Sequence, residues 1–548
     1  MAESRDVSFY CGKNQLVFEA PDPIAVRSVL PHAKTLNYKG RPHVVVKHDL
    51  DAVTILRNIG IEAPSPVNHG WEYPGQYKPF EHQRASVEFL TVHRRAFNLS
   101  EMGVGKTAAA LWAAEYLITQ GVVHRVLIVC PKSCTHKVWE DELFRTLMHR
   151  TAVVVEGGRE KKLALAASDS EFLIVNHDGL ATIHDVVAKD SRIDLIIYDE
   201  AGVLRNGQIQ RYKTLKSLLK PATRLWLLTA TPCPNAPTDA WALARLVRPE
   251  TVPPYFTSFK RQTMIQVSNF KWVPKPESTK MAYDALQPAI RFKTSDCHDL
   301  PPITYQNRSV ELSPEQAKML KAMAKDFVAE KDGATITAAN AAVKMVKALQ
   351  ILGGVCYDDT GTPVLIDAPD RLATVREIIE EADHKVIIWC PFKHVMEHLR
   401  QHISSWFNES GAAKGDGTAF GNLLLGTVSQ NVAVINGDVG NSARTDIITR
   451  FQNTSDPLKV LIAHPATAAH GLTLTAANIC VWYGPTFSAD IWSQANARVN
   501  RPGQKHHMTV VKLGSTALEW EAYGVAEAKV GRQEKILTLY RKMLDSPV

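Results

Sequence analysis

No apolar run in these 548 residues reaches the length of about eighteen that crossing a bilayer requires. The first residues, MAESRDVSF, lack the basic-then-apolar pattern of an export signal, so the expectation is a soluble chain that stays in the cytoplasm. Cysteine is sparse and scattered: of eight, only Cys130 and Cys134 lie close together, at a spacing that fits neither a zinc half-site nor a disulfide framework. Internal repeats and long low-complexity tracts are absent as well, which excludes solenoids and fibrous chains. Charge of one sign does not dominate. The 63 Lys and Arg against 56 Asp and Glu leave a formal +7, which suits a polyanionic partner without demanding one. With 45% hydrophobic and 22% charged residues, the composition is that of a folded multidomain protein.

Three textures follow one another along the chain. In residues 1–70, QLVFEA and HVVVKH read as short strands. DPIAVRSVL and DLDAVTILRNIG read as helices with Asp near their starts and Gly60 ending the second, which makes a small α+β module. APSPVNHGWEYPGQY, rich in Pro and Gly and carrying Trp71, Tyr73 and Tyr77, reads as a linker. Beyond it, RVLIVC, EFLIVN, DLIIYDE and RLWLLTA alternate with helical segments, and the pattern returns at KVIIWC, VAVING, KVLIAH and NICVWY. Such continuous apolar strands belong to parallel sheets covered on both faces. The expected fold class is therefore α/β, with two tandem parallel-sheet lobes at 71–250 and 351–548 and a helical connector across 251–350. SSWFNESGAAKGDGTAFGN reads as a mobile surface loop inserted in the second lobe.

Two segments carry the chemistry. In NLSEMGVGKTAAALW, Gly103 and Gly105 let the backbone turn tightly enough for its N–H groups to surround phosphate, at the positive end of the following helix. Lys106 is placed to reach the β- and γ-phosphates and Thr107 to offer its hydroxyl to Mg²⁺. The strict phosphate-loop pattern wants Gly where Ser100 stands. In LIIYDEAG, an apolar strand ends in two carboxylates: Asp199 suits Mg²⁺, and Glu200 suits the deprotonation of an attacking water. A solvated turn is the bland reading of such a pair, and the position about ninety residues after the Lys–Thr pair in an alternating α/β pattern favours the hydrolytic one.

Read with their neighbours, these motifs resemble those of a superfamily-two ATPase of the Swi/Snf type, the DNA-translocase group that includes chromatin remodellers and annealing helicases. FEHQRASVEFL resembles the adenine-reading Q motif, with Gln83; VLIVCPKSCTHKVWEDEL resembles motif Ia, with Pro131, Lys132 and Trp139; LLTATPCPN resembles motif III. RFKTSDCHDLPPITYQNRSVELSPEQ looks like the family's connector, and INGDVGNSARTDIITRFQ, with Gly437, Arg444 and Phe451, like its motif IV. AAHGLTLTAANICVWYGPTFSADIWSQANARVNRPGQK resembles motifs V and VI. The match covers about residues 76–515 with every motif in order. It implies two RecA-like lobes, ATP and Mg²⁺, and a duplex or branched DNA track gripped with little regard to sequence, wherever the cell keeps its DNA. It also implies that Arg498 and Arg501, framed by Gln494 and Gln504, stabilise charge on the transferring phosphate. Their spacing of three places both arginines on one face of a helix. Gln504 joins Gln83 among the nucleotide-binding candidates, and Lys132, Thr231 and Thr473 are the candidates for contacting the DNA backbone.

The pattern is broken in places. Motif II in the family continues with His where Gly202 stands, and motif V reads AHGLTLT where relatives carry a second Gly and an Asn. His394-Val-Met-Glu-His398 spells an inverted zinc-protease motif, but no third ligand stands out in a compatible segment, and an ordinary helix is the preferred reading. The resemblance is nearest to the annealing-helicase branch, where a small domain ahead of the motor recognises DNA junctions; residues 1–70 are faintly similar. The expectation is thus an ATP-dependent DNA translocase that remodels or anneals branched DNA in replication, recombination or repair. A strand-separating helicase, and a nucleic-acid-binding ATP switch with little turnover, are the alternatives.

Overall fold

The computed structural model describes residues 9–528, apart from 13, 21, 269–270, 298–300, 327, 332–333, 338–340, 410–429 and 469–472. The chain divides into two compact units, with the boundary between Cys297 and His298.

The first unit opens with the small α+β module. Strands β1 (Phe9–Cys11), β2 (Gln15–Glu19), β3 (Lys34–Tyr38) and β4 (Arg41–Lys47) form an antiparallel sheet in the order β1-β2-β4-β3. Leu16, Phe18, Val44 and Val46 alternate onto the face covered by the helices Pro23–Val29 and Leu50–Asn58. Each helix is capped by an Asp side chain accepting backbone N–H groups, Asp22 from Ile24 and Ala25 and Asp49 from Ala52, as the sequence indicates. Gly60, at φ 84°, takes the left-handed turn after the second helix. β3 is exposed along its whole length, so it offers no apolar alternation by which to find it.

The segment read as a linker is instead packed on the next domain. Trp71, Tyr73 and Tyr77 meet Trp112 or Tyr116 of the helix Lys106–Thr119 edge-on, and the Trp112 indole N–H donates to Pro74 O at 2.9 Å. A Cβ at Gly75 would lie 2.8 Å from Thr146 Cα, so this strand of chain is pressed against backbone. Pro and Gly here shape a fitted strap, because large aromatic rings have more to gain from burial than a free linker can offer.

Seven parallel strands follow: β5 (Arg95–Asn98), β6 (Arg125–Cys130), β7 (Ala152–Val154), β8 (Phe172–Asn176), β9 (Ile193–Asp199), β10 (Arg224–Leu228) and β11 (Ala289–Ile290). Their order is β11-β5-β10-β9-β6-β8-β7. Leu127, Val129, Ile196 and Tyr198 point into one apolar layer, and Val126, Ile128, Leu195 and Ile197 into the other, so helices cover both faces.

The second unit carries six parallel strands: β12 (Ile303–Ser309), β13 (Lys385–Trp389), β14 (Val432–Ile435), β15 (Val460–Ala463), β16 (Ala477–Trp482) and β17 (Met508–Gly514), in the order β12-β17-β16-β13-β15-β14. Two apolar layers flank it in the same way. Residues 251–350 are therefore not one helical connector. β11 extends the first sheet and β12 the second, and β12, the half-exposed ITYQNRS, has no apolar run to betray it. The expected inserted loop also starts later than its composition suggests: the helix Lys393–Glu409 runs through Ser404 and Ser405, because Trp406 and Phe407 pack on the core beside Ile403. The remainder of that segment lies outside the described residues. Along the same helix Glu397 pairs with Arg400, His394 packs on Tyr357, and His398 on His402. Among the described residues no group of three or more His, Cys, Asp or Glu side chains is arranged to hold a metal, and no helix is long and apolar enough to cross a membrane.

Candidate functional site

The strand register assembles the site. Leu228 of β10 is aligned with both Asn98 of β5 and Asp199 of β9, so the phosphate loop, the carboxylate pair and the Thr229–Thr231 turn leave the sheet side by side at its carboxyl edge. That edge is where open parallel sheets bind ligands, since helix N-termini and loop amides converge there.

Gly103 and Gly105 both take left-handed conformations, at φ 85° and 75°, and Gly105 is the residue from which the helix Lys106–Thr119 starts. The Lys106 ammonium donates to the carbonyls of Ser100 and Glu101, at 2.7 and 2.9 Å. Thr107 stands in the helix's first turn. Gln83 is buried over the loop: its Oε1 accepts the N–H of Phe80 at 2.9 Å, and a Cβ on Gly105 would sit 2.0 Å from its Nε2. Gly105→Ala should therefore lower nucleotide affinity at least ten-fold, beyond the roughly 1–2 kcal/mol of stability that a side chain loses in this backbone region. Gly60→Ala is the control. It has the same kind of φ but nothing within 4 Å of the added carbon, so only the backbone penalty is expected in a melting experiment, with ATP binding retained.

Asp199 Oδ2 accepts the Trp139 indole N–H at 2.9 Å, and its Oδ1 accepts the Glu200 N–H at 2.9 Å. Burial pushes the Asp199 carboxyl above the usual carboxylate range, and the neighbouring Glu200 charge pushes the same way, against the indole N–H and the Lys106 ammonium. A divalent cation opposes both upward effects, so the donor set of Thr107 and Asp199 fits Mg²⁺. Glu200 begins the following turn at φ 50° and ψ 47°, an uncommon conformation for a residue with a side chain. Trp139 was placed in motif Ia by the sequence, but its bond to Asp199 is visible only in the fold. Asn98, fully buried, holds the Ser100 N–H at 3.1 Å and was missed, because a single polar residue ending a strand looks like ordinary punctuation.

Gly202 packs against Arg205 and the Thr229–Thr231 turn. A Cβ there would lie 3.4 Å from Arg205 Nη2 and 3.5 Å from Thr229 Oγ1 and Thr231 O, and Arg205 Nε donates to the Gly202 carbonyl. A Cβ at 202 would thus be in ordinary van der Waals contact with the Arg205 guanidinium and the Thr229–Thr231 turn.

In the second unit, Arg498 and Arg501 do not share a helix face. The helix Ala489–Asn496 ends before them, and both stand on the turns that follow. Pro502 disfavours helical backbone at the residue before it and lacks an N–H, and Gly503 turns at φ 101°. Arg501 Nη1 donates to Thr473 Oγ1 at 3.0 Å, bringing motifs V and VI together. Burial, and then the charge of Arg498, lowers the Arg501 pKa to about 9. The Gln504 amide is occupied by backbone groups of its own unit, Ala477 O at 2.7 Å and Val499 O at 3.3 Å. Of the DNA-contact candidates, Lys132 and Thr473 are exposed, whereas Thr231 is buried at 5% exposure and its N–H is bound to Thr229 Oγ1. Four residues of motif V, 469–472, lie outside the described residues.

Comparison with known proteins meets this geometry. The model of the SNF2-related domain matches residues 82–358, and that of the helicase conserved C-terminal domain residues 370–503. Protein p41 of Acyrthosiphon pisum secondary endosymbiont phage 1 is 25% identical, over 79% of this chain and 93% of its own length. A SWI/SNF-related matrix-associated actin-dependent regulator of chromatin subfamily A-like protein 1 homolog from Caenorhabditis elegans is 24% identical over 82% of this chain, which spans 60% of that relative's length. The DNA repair and recombination protein RAD54-like of Gallus gallus is 23% identical, over 85% of this chain and 67% of its own. Among solved structures, the Sulfolobus solfataricus SWI2/SNF2 ATPase core in complex with dsDNA aligns over 85% of this chain and 98% of its own, at 21% identity and a TM-score of 0.38. With a family model spanning half its length, and the phosphate loop and carboxylate pair side by side on one parallel sheet, the chain belongs to the SNF2-related family of superfamily-two ATPases.

Proposed function

We propose that the protein is an ATP-driven DNA translocase that remodels or anneals duplex or branched DNA in replication, recombination or repair. The carrying observation is the alignment of the Lys106 loop with the Asp199–Glu200 pair at the end of β9, where a Trp139 hydrogen bond fixes the Asp. In this reading ATP is the substrate, its phosphates received by the Gly103–Gly105 backbone and Lys106, with Gln83 against the base. Thr107 and Asp199 would hold Mg²⁺, which supplies charge neutralisation on the phosphates. Glu200 takes the proton of the attacking water, and Arg498 and Arg501 stabilise the charge that develops on the transferring group.

The DNA track is supported by the +7 balance, by the exposed Lys132 and Thr473, and by a relative that bears the name of a DNA repair and recombination protein. Residues 1–70 are proposed to recognise DNA structure, held to the motor by the aromatic strap. The test is ATP hydrolysis by the whole chain without nucleic acid and with single-stranded, duplex and forked DNA and RNA. Strong stimulation by duplex or fork is expected. Rates unchanged by every DNA would overturn the track, and strand separation without annealing would favour a helicase.

A further inference from the structure

The residue that breaks the phosphate-loop pattern has a use. Ser100 Oγ accepts the N–H of Phe292 at 3.0 Å, a bond that a glycine at this position would forfeit. Around it, the end of β11 and the segment after it are tied to the loop by five more hydrogen bonds. Leu99 N–H donates to Ile290 O at 2.8 Å and Glu101 N–H to Phe292 O at 2.9 Å. The Glu101 carboxylate accepts from Arg291 Nη2 at 3.1 Å and from the Thr294 N–H at 3.0 Å, and Thr294 Oγ1 donates to Met102 O at 2.8 Å. Arg291 is buried, so its pairing with Glu101 is poorly screened by solvent. Four residues beyond Thr294, at His298, the chain enters the second unit.

Ser100 and Glu101 hold this segment with their side chains and hold Lys106 with their carbonyls. Phosphate oxygens compete for the same ammonium, so nucleotide acts directly on the two residues that anchor residues 290–294. We infer that Ser100, Glu101, Arg291 and Thr294 form a latch that transmits the occupancy of the phosphate loop to the chain leading into the second unit. They are positioning residues: none is needed to touch the reacting atoms. The inference rests on the ATPase reading above and deepens it, by naming the covalent route along which the loop and the second unit are coupled. It also accounts for the serine. A tight turn alone would be served by glycine, whereas a turn that must also grip a neighbouring strand needs a short side chain with an acceptor.

Two measurements on the whole chain test it. In the Arg291→Gln/Thr294→Val variant the DNA-stimulated kcat should fall about five-fold or more, the lower end of ordinary allosteric coupling, while KM for ATP and the rate without DNA stay within about two-fold. In the unaltered protein, a slowly hydrolysed ATP analogue with Mg²⁺ should change amide hydrogen exchange at 289–294 together with that at 99–101. In the variant the change should be confined to the loop. Undiminished stimulation would overturn the latch. So would a loss of ATP affinity that accounts for the whole effect, since Arg291 would then belong to nucleotide binding. If the variant fails to fold by circular dichroism, the exchange result on the unaltered chain decides alone, and an unresponsive 289–294 overturns the proposal. Absence of stimulation by any DNA in the unaltered protein would instead overturn the translocase reading, and the exchange experiment would still judge the latch.

Discussion

Glu200→Gln should reduce ATP turnover by about 10²–10⁴-fold, the usual contribution of a positioned general base, with nucleotide binding preserved. The two carboxylates at the end of β9 are adjacent in sequence and differ in environment. Both Asp199 oxygens are engaged, one by the Trp139 indole and one by the Glu200 N–H, in a setting that raises its pKa. Such a carboxylate is fixed in place, as a cation ligand must be. Glu200 leaves the strand through a left-handed turn, which swings its side chain out of the sheet's alternation. Glutamine is nearly isosteric and tolerates the same backbone, so the change removes the basic oxygen and little else. Single-turnover hydrolysis combined with binding of a fluorescent ADP separates the two effects. Turnover above about a tenth of the original would mean that the base lies elsewhere.

Arg371→Met should destabilise the second unit by about 3–5 kcal/mol, the cost of leaving a buried charge without its partner. Arg371 and Glu519 are 2% and 1% exposed and 2.7 Å apart. The guanidinium also donates to Tyr483 O at 2.6 Å and to Ser515 Oγ at 3.0 Å, and Glu519 accepts the Ser515 N–H at 2.7 Å. These bonds tie the helix Pro369–Glu381 to the ends of β16 and β17, far along the sequence from one another. Removing the Arg strands Glu519 with one remaining N–H. Arg371→Met/Glu519→Leu should regain most of the loss, because no charge is then left inside. Urea unfolding followed by tryptophan fluorescence reads both variants, and the transition belonging to the second unit should move alone. A single variant within about 1 kcal/mol of the original would show that water reaches the pair.

Gln83 entered only through its resemblance to the adenine-reading Q motif, whereas Gly103, Gly105 and Lys106 could be read as a candidate phosphate loop because a tight loop before a helix demands particular residue types at fixed spacing. The same holds for β6, β9, β13 and β15, whose unbroken apolar runs have no other comfortable location. β3 and β12 were invisible because edge strands keep much of their length in water. The aromatic strap was misread for the opposite reason. Pro and Gly announced a linker, and only the surface of the helix Lys106–Thr119 shows why three aromatic rings are there. For Arg498 and Arg501, a spacing of three suggested a helix face, but Pro502 and Gly503 end the helical path first.

By itself, then, the sequence determined the class of fold, the order of the motifs and which residue types stand in the loop and the carboxylate pair. Those depend on local periodicity and on residue types that few other structures tolerate. Tertiary structure alone decided which distant groups complete them. Trp139 reaches Asp199 across sixty residues, and Phe292 finds Ser100 nearly two hundred residues away. A hydrogen bond needs its partners within about 3 Å whatever their separation along the chain, and only the packing of strands side by side brings them that close.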